Sequence, residues 1–287
     1  MKKQALLCVN LAVVLFGLAG LFAKWIGLPA LYITFSRVFF SSLTLGIWLL
    51  VKKQSIRTKN GRDRALLILS GAVLALHWWS FLYSIQLSTV AVGTITFASF
   101  PMFVILLEAV IRRKRPSAWE ISAAVLILAG VLITVPEFSF ENSLVPGILT
   151  GMVSSAAYAV LTLMNRHFSD KYSASVIAFY EQASAAVLLV PFLFSGPVIS
   201  AFSGKDAALT VLLGVFMTAA AHTLFINGLK GVSAGLAGII SSLESVYAIL
   251  FALIFLKEVP SLREAAGAVI ILGTVILVQI IRGRKES

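Results

Sequence analysis

Charge and cysteine are scarce in this chain of 287 residues: 12% of the residues are charged, and one is a cysteine. The lone Cys8 excludes an internal disulfide and a cysteine metal site, and it reads as a small apolar residue of a helix. Acidic residues are rarer still, 12 against 23 Lys and Arg. The sequence has no HExxH, no phosphate-binding Walker loop and no Cys cluster, which removes the usual routes to a metallohydrolase or to direct ATP drive. With no nucleophile and oriented base to set against these absences, an enzyme is not expected, and neither is a cofactor or a metal.

What the chain has instead is apolar surface. Hydrophobic residues make up 59% of it, and the mean hydropathy is +0.98. A polar, water-facing surface cannot be built from that composition, so the chain belongs in a bilayer. A helix needs about 20 apolar residues to cross the hydrocarbon, and runs of that kind recur at roughly 6–24, 31–51, 65–85, 90–111, 118–135, 146–166, 174–194, 209–229, 234–255 and 263–281. The expected fold is an all-α integral membrane protein of ten transmembrane helices. Short connections leave no room for a soluble domain.

The second half rewrites the first. Pro101-Met102-Phe103-Val104-Ile105-Leu106 leads to Arg113 and Pro116-Ser117, and 144 residues later Ser245-Val246-Tyr247-Ala248-Ile249-Leu250 leads to Lys257 and Pro260-Ser261. The register continues through Glu120 and Glu264, Ala124 and Ala268, and Ile127-Leu128 opposite Ile271-Leu272. Residues 1–140 and 141–287 are therefore expected as two five-helix repeats. Five is odd, so the second repeat must enter from the opposite side and the pair is inverted, an arrangement found in transporters.

Charge fits that orientation. With the N-terminus inside, all but five of the 23 Lys and Arg fall in cytoplasmic segments; the exceptions are Lys24, Arg37, Lys205, Lys257 and Arg263. The basic turn Arg112-Arg113-Lys114-Arg115 corresponds to Leu256-Lys257-Glu258-Val259, where the positive excess is gone. The basic stretch 52–64 lacks the interleaved aromatics that stack bases, so nucleic acid is excluded as a partner. Lys2-Lys3 before an apolar stretch resembles a signal peptide, but the stretch runs to about Ala23, longer than a signal core, and reads as a retained first helix. The expected location is the inner (plasma) membrane, with both termini cytoplasmic.

Three stretches carry a family likeness: Ala98-Ser99-Phe100-Pro101-Met102-Phe103, its counterpart Ser242-Leu243-Glu244-Ser245-Val246-Tyr247, and Leu128-Ala129-Gly130-Val131-Leu132. The chain resembles the ten-helix, EamA-type transporters of the drug/metabolite transporter superfamily, and the doubled pattern covers nearly all of it. The resemblance implies two inverted five-helix repeats around a central cavity and the movement of small organic molecules, usually outward. One departure stands out. The family's usual proline after the ninth-span glutamate is Ser245 here, which removes the basis for a proline kink at that point.

Cavity residues should be polar or aromatic groups placed where lipid would penalise them. Glu244 lies close to the middle of the ninth span. It either binds a cationic group or carries a coupling proton, or it braces a broken helix backbone. Arg37 and Glu181 occupy equivalent positions in the two repeats and suit a gating pair or an amphoteric substrate; snorkelling to the headgroups is the favoured reading for Arg37, and a cavity role for Glu181. His77 and His222 fall near mid-span and are candidates for proton relay, or for simple buried hydrogen bonding. Trp78 is the repeat counterpart of His222, while helical spacing places Trp79, Tyr83 and Gln86 on one face of the third span.

The expected cavity lining is Trp79, Tyr83, Tyr158, Glu181, His222, Asn227 and Glu244, with Arg37, His77, Glu181, His222 and Glu244 as candidates for gating or proton coupling. Trp25, Trp48 and Trp119 read as interfacial, Gly17, Gly20, Ser154 and Ser155 as helix packing, and Glu108 as an ion-pair partner of Arg112. The functional expectation is a secondary carrier for a small amphipathic metabolite such as an amino acid, an exporter working by alternating access. Its expected partners are that substrate, the bilayer, a coupling proton and a second copy as a homodimer. An importer, a channel, or a non-transporting sensor or partner subunit would leave a similar sequence.

Overall fold

A computed structural model describes residues 2–111, 113, 118–134, 143–195, 202–232 and 234–286. The secondary structure over those residues is helical. In chain order the helices are α1 (Lys2–Trp25), α2 (Ala30–Val51), α3 (Gly61–Leu87), α4 (Val90–Phe97), α5 (Phe100–Ile111), α6 (Ala118–Ile133), α7 (Leu144–Ser169), α8 (Ala174–Ser195), α9 (Gly204–Gly214), α10 (Ala221–Gly228), α11 (Ala234–Phe251) and α12 (Leu262–Glu286). Two π stretches, Val215–Ala220 and Ala252–Leu256, join α9 to α10 and extend α11. The expected repeat boundary at 140/141 and the Glu108–Arg112 ion pair lie outside the described residues and side chains.

Seven stretches are long and apolar enough to cross a membrane: Lys3–Trp25, Ala30–Val51, Gly61–Leu87, Val90–Ile111, Leu144–Ser169, Ala174–Phe194 and Gly204–Gly228. They coincide with seven of the ten runs read from sequence. Shorter apolar helices, Ile121–Ile133 and Leu243–Leu256, fall in the fifth and ninth runs. Large apolar side chains such as Leu50, Val110 and Phe194 are exposed on the outside of the bundle, as a surface solvated by lipid requires. The chain is a multi-pass membrane protein.

Local chemistry sets where helices start and break. In lipid each backbone N–H and C=O must find an internal partner, and side-chain caps supply some of them. Asn60 accepts from the Asp63 N–H at 2.7 Å, Thr89 from the Val92 N–H at 3.0 Å, and Ser203 and Asp206 form a reciprocal capping box. The fourth run breaks between Phe97 and Phe100 because Pro101 has no N–H for the helix ladder. The Phe97 carbonyl, which loses the Pro101 N–H, lies 3.1 Å from the hydroxyl of Ser155 on α7, while the Thr96 carbonyl accepts from the Ser99 N–H at 3.1 Å and the Ser99 hydroxyl at 2.7 Å. At the equivalent position α11 has Ser245 and runs on unbroken, with the Ser245 hydroxyl donating to the Thr94 carbonyl at 2.7 Å.

Packing brings the middle of the chain together. α1 lies against α10 and α11, α3 against α7 and α8, α2 against α8 and α9, and α6 against α12. Small residues permit the closest approaches: a Cβ on Gly17 would stand 2.7 Å from the Cβ of Tyr247 on α11. The largest apolar cluster draws on α1, α3, α7 and α10 and surrounds the polar groups described next.

Candidate functional site

Helical geometry collects the site. Residues three and four positions apart on a helix are neighbours, so Phe81 of α3 lies beside both Trp78 and His77, and the three turn inward together. They meet Phe16 of α1, Phe97 of α4 and Tyr158 of α7 around a cavity of about 20 Å³, into which Arg37, His222 and Glu244 also project. That space is about what one water needs. It is far below the several hundred Å³ of a typical small-molecule site.

The aromatic wall is tightly interlocked. The His77 ring centroid is 4.8 Å from that of Tyr158 and 5.3 Å from that of Phe97, and Phe97 meets Tyr158 edge-on at 5.1 Å. His77 is fixed on its other side by Ser154, whose hydroxyl lies 2.8 Å from Nδ1 and donates to the His77 carbonyl at 3.1 Å. The Tyr158 hydroxyl is buried beside the Ser241 side chain, and neither forms a hydrogen bond of good geometry among the described residues. A buried polar atom of that kind is an open place for a ligand or a water.

Charge enters from four helices. Arg37 is 1% exposed, and its guanidinium carbon sits 3.8 Å from the centroid of the Trp78 ring. Its Nε donates to the Thr218 hydroxyl at 3.1 Å. The expectation of a snorkelling arginine is thereby corrected: the side chain turns into the bundle because an aromatic face and a hydroxyl wait for it there. Glu181 is fully buried and pairs with His222, Oε2 to Nε2 at 2.6 Å, while its other oxygen has no partner among the described residues. Trp78 and His222 then meet as a T-shaped pair at 5.8 Å. Arg37, Trp78, His222 and Glu181 thus form a continuous chain across the bundle.

Glu244 closes the ring. It is 6% exposed, lines the cavity, and makes no hydrogen bond or ion pair among the described residues. Arg37 is its electrostatic counterpart across the cavity without touching it. A carboxylate and a guanidinium that share a small aromatic chamber, unpaired with each other, can each bind the opposite charge of one ligand.

Several residues expected at the cavity lie elsewhere. Trp79 and Tyr83 stack on each other at 5.6 Å, Trp79 against the main apolar cluster and Tyr83 37% exposed, and neither lines the chamber. Asn227 is exposed. Gln86 holds the α1–α2 turn, donating to the Leu28 carbonyl at 2.8 Å and accepting from the Ala30 N–H at 2.9 Å. The sequence reading missed Trp78 as a lining residue, although its place opposite His222 in the repeat was the available signal. Phe16, Phe81 and Phe97 gave none, being ordinary apolar residues of apolar helices. Among the described residues no three His, Cys, Asp or Glu side chains cluster closely enough to hold a metal.

Polar contacts tie the helices at both ends of the bundle. At one end Lys24 donates to the Ser88 carbonyl at 2.7 Å, the Val90 N–H meets the Glu258 carboxylate at 3.2 Å, and the Gly27 N–H reaches Asp206 at 2.9 Å. At the other, Tyr172 donates to Asp63 at 2.7 Å, Lys171 pairs with Asp63 at 3.4 Å, and Arg166 donates to the Leu229 carbonyl at 3.2 Å.

These features belong to a membrane transporter rather than an enzyme. The chain is a member of the EamA-like transporter family, whose model matches residues 3–135 and 145–280. It is 23% identical to an uncharacterized transporter, YxxF, of Bacillus subtilis (strain 168) over 100% of this chain and 93% of that protein. It is 25% identical to the pseudopaline exporter CntI of Pseudomonas aeruginosa (strain UCBPP-PA14), over 85% of this chain and 84% of that one. A solved crystal structure shares the fold with a TM-score of 0.70 and 20% identity over the full length of both chains.

Proposed function

We propose that the chain is a secondary carrier that exports a small zwitterionic, amphipathic metabolite by alternating access. Its helices make ten membrane spans in two inverted five-span repeats, with both termini in the cytoplasm. The observation that carries the reading is the pair Arg37 and Glu244, both buried and lining one aromatic chamber, electrostatically coupled but joined by no direct ion pair. Holding an acidic and a basic group inside a membrane without a direct ion pair between them is costly, and a ligand with a carboxylate and an ammonium group would engage both. The aromatic wall suits an apolar side chain between them. An amino acid has this chemistry.

The repeat reading gains support from contacts spaced by the repeat. Arg37 lies on Trp78, and 144 residues on, Glu181 bonds His222. The partners Trp78 and His222 then meet each other. α1 packs on α10 and α11 as α7 packs on α3 and α4. A chamber of about 20 Å³ admits no metabolite, so the helix ends must part on one side at a time, which is the motion inverted repeats provide. Glu181 and His222 are the pair we assign to the coupling proton. The exporter relative favours the outward direction.

The test compares small metabolites inside and outside cells that express wild type, Glu244→Gln, Arg37→Gln or no carrier, at matched membrane levels. Build-up of one zwitterionic class outside with wild type alone is expected. Depletion outside would make the protein an importer. Identical profiles in all four strains, or wild-type export by both variants, would overturn the reading.

A further inference from the structure

The third and eighth runs of the repeat differ in length by one residue. Their beginnings align 143 residues apart: Asn60-Gly61-Arg62-Asp63 with Ser203-Gly204-Lys205-Asp206, each opening on a side-chain cap. Gly71 and Gly214 keep that spacing. A Cβ on Gly71 would stand 2.7 Å from the Glu181 carbonyl oxygen and 2.9 Å from the Ala185 nitrogen. One on Gly214 would stand 3.1 Å from the Arg37 carbonyl oxygen and 3.4 Å from the Ser41 nitrogen, the repeat equivalents. Beyond the midpoint the spacing is 144, matching Trp78 with His222 and Phe81 with Phe225. The second repeat therefore holds one extra residue between Gly214 and His222, and the π stretch Val215–Ala220 lies there.

An extra residue in an α-helix turns everything beyond it by about 100°. A π turn absorbs that rotation, so the glycine contact before it and the cavity face after it both keep their places. The bulge also presents Thr218. This side chain is fully buried; its hydroxyl donates to the Leu213 carbonyl, five residues back, at 2.8 Å, and so must receive the Arg37 Nε–H on a lone pair at 3.1 Å. Among the described residues this is the guanidinium's hydrogen bond, and Trp78 covers its face. Glu181, the repeat equivalent of Arg37, bonds His222 instead.

We infer that Thr218, held in the π bulge, is a positioning residue for Arg37: it engages Nε so that the two terminal nitrogens are left for the carboxylate of a ligand in the chamber. The planar fork of a guanidinium binds a carboxylate through two parallel bonds when its rotation is fixed. The inference rests on the proposed role of Arg37 in recognising the substrate. It adds that selection for a carboxylate depends on a residue that never touches it.

The positioning claim is tested without a ligand. In purified protein with Trp25, Trp48, Trp79 and Trp119 changed to Phe, Trp78 emission reports the cation over its ring. Arg37→Gln should shift that emission, Thr218→Val should reproduce most of the shift, and Thr218→Ser, which keeps the hydroxyl, should stay close to the parent. A Thr218→Val emission equal to the parent's, or no shift in Arg37→Gln, would overturn the inference. Melting temperatures of the same samples separate displacement of Arg37 from general loosening. In the export assay Thr218→Val should lower export of the carboxylate-bearing class about tenfold, the worth of one hydrogen bond to a charged group, with Thr218→Ser restoring it. Wild-type export in Arg37→Gln would sink the substrate reading while leaving the emission result to decide the positioning.

Discussion

The imidazole of His222 meets the carboxylate of Glu181 at 2.6 Å, with neither side chain exposed to solvent. Two groups on α10 and α8 that are far apart in sequence thus neutralise one another's polarity in the middle of an apolar bundle.

Breaking such a pair from one side strands a buried polar group. Glu181→Gln and His222→Gln are each expected to cost about 3–5 kcal/mol. The second change, made in the presence of the first, should cost much less. Unfolding of the four proteins of this cycle in detergent checks it. Additive losses would show that the two groups stabilise the bundle independently.

Close backbone approach gives a second expectation. A methyl group on Gly71 would run into the Glu181 carbonyl and the Ala185 nitrogen, which are backbone atoms and cannot swing aside. Gly71→Ala should therefore destabilise by about 1–3 kcal/mol and displace α8, lowering transport with it. At Gly61 nothing lies within 4 Å of the added carbon, so Gly61→Ala should stay within about 0.5 kcal/mol of wild type. Equal melting points for the two variants would contradict the packing described.

Much of this arrangement could be read in the chain beforehand. Arg37, His77, Tyr158, His222 and Glu244 stood out as polar groups in runs that otherwise suit lipid, and the structure brings all five around one chamber. Which way a helix faces was harder. Trp79, Tyr83 and Gln86 share a face by spacing, but spacing does not say whether α7 or lipid covers that face, and Trp78 one step away was the inward residue. Arg37 was misjudged because its aromatic and hydroxyl partners come from α3 and the π stretch, 41 and 181 positions along the chain. The π stretch itself was hidden by assuming one register throughout, when the repeat spacing changes inside the eighth run.

The end of the bundle that holds Lys24, Ser88 and Val90 should respond to pH through Glu258. This carboxyl group lies outside the membrane-spanning stretches, and its pKa is raised above the ordinary glutamate value. Partial burial is the main cause, and the Val90 N–H and the Lys24 ammonium pull the other way. Parting the helices would return Glu258 to water and to its ordinary pKa. The closed form thus holds the proton more tightly than the open one, so closure is favoured below the ordinary value and loses that advantage as pH rises through the raised one. A cysteine at Ala19, which lines the chamber, placed in a Cys8→Ala background, should react with a thiol reagent faster as pH increases across that window. Part of that increase belongs to the thiol's own ionisation. Glu258→Gln retains the thiol and removes the carboxyl titration, so its labelling rate should climb less steeply with pH. Parallel pH profiles for the two proteins would show that opening at this end is indifferent to the charge on Glu258.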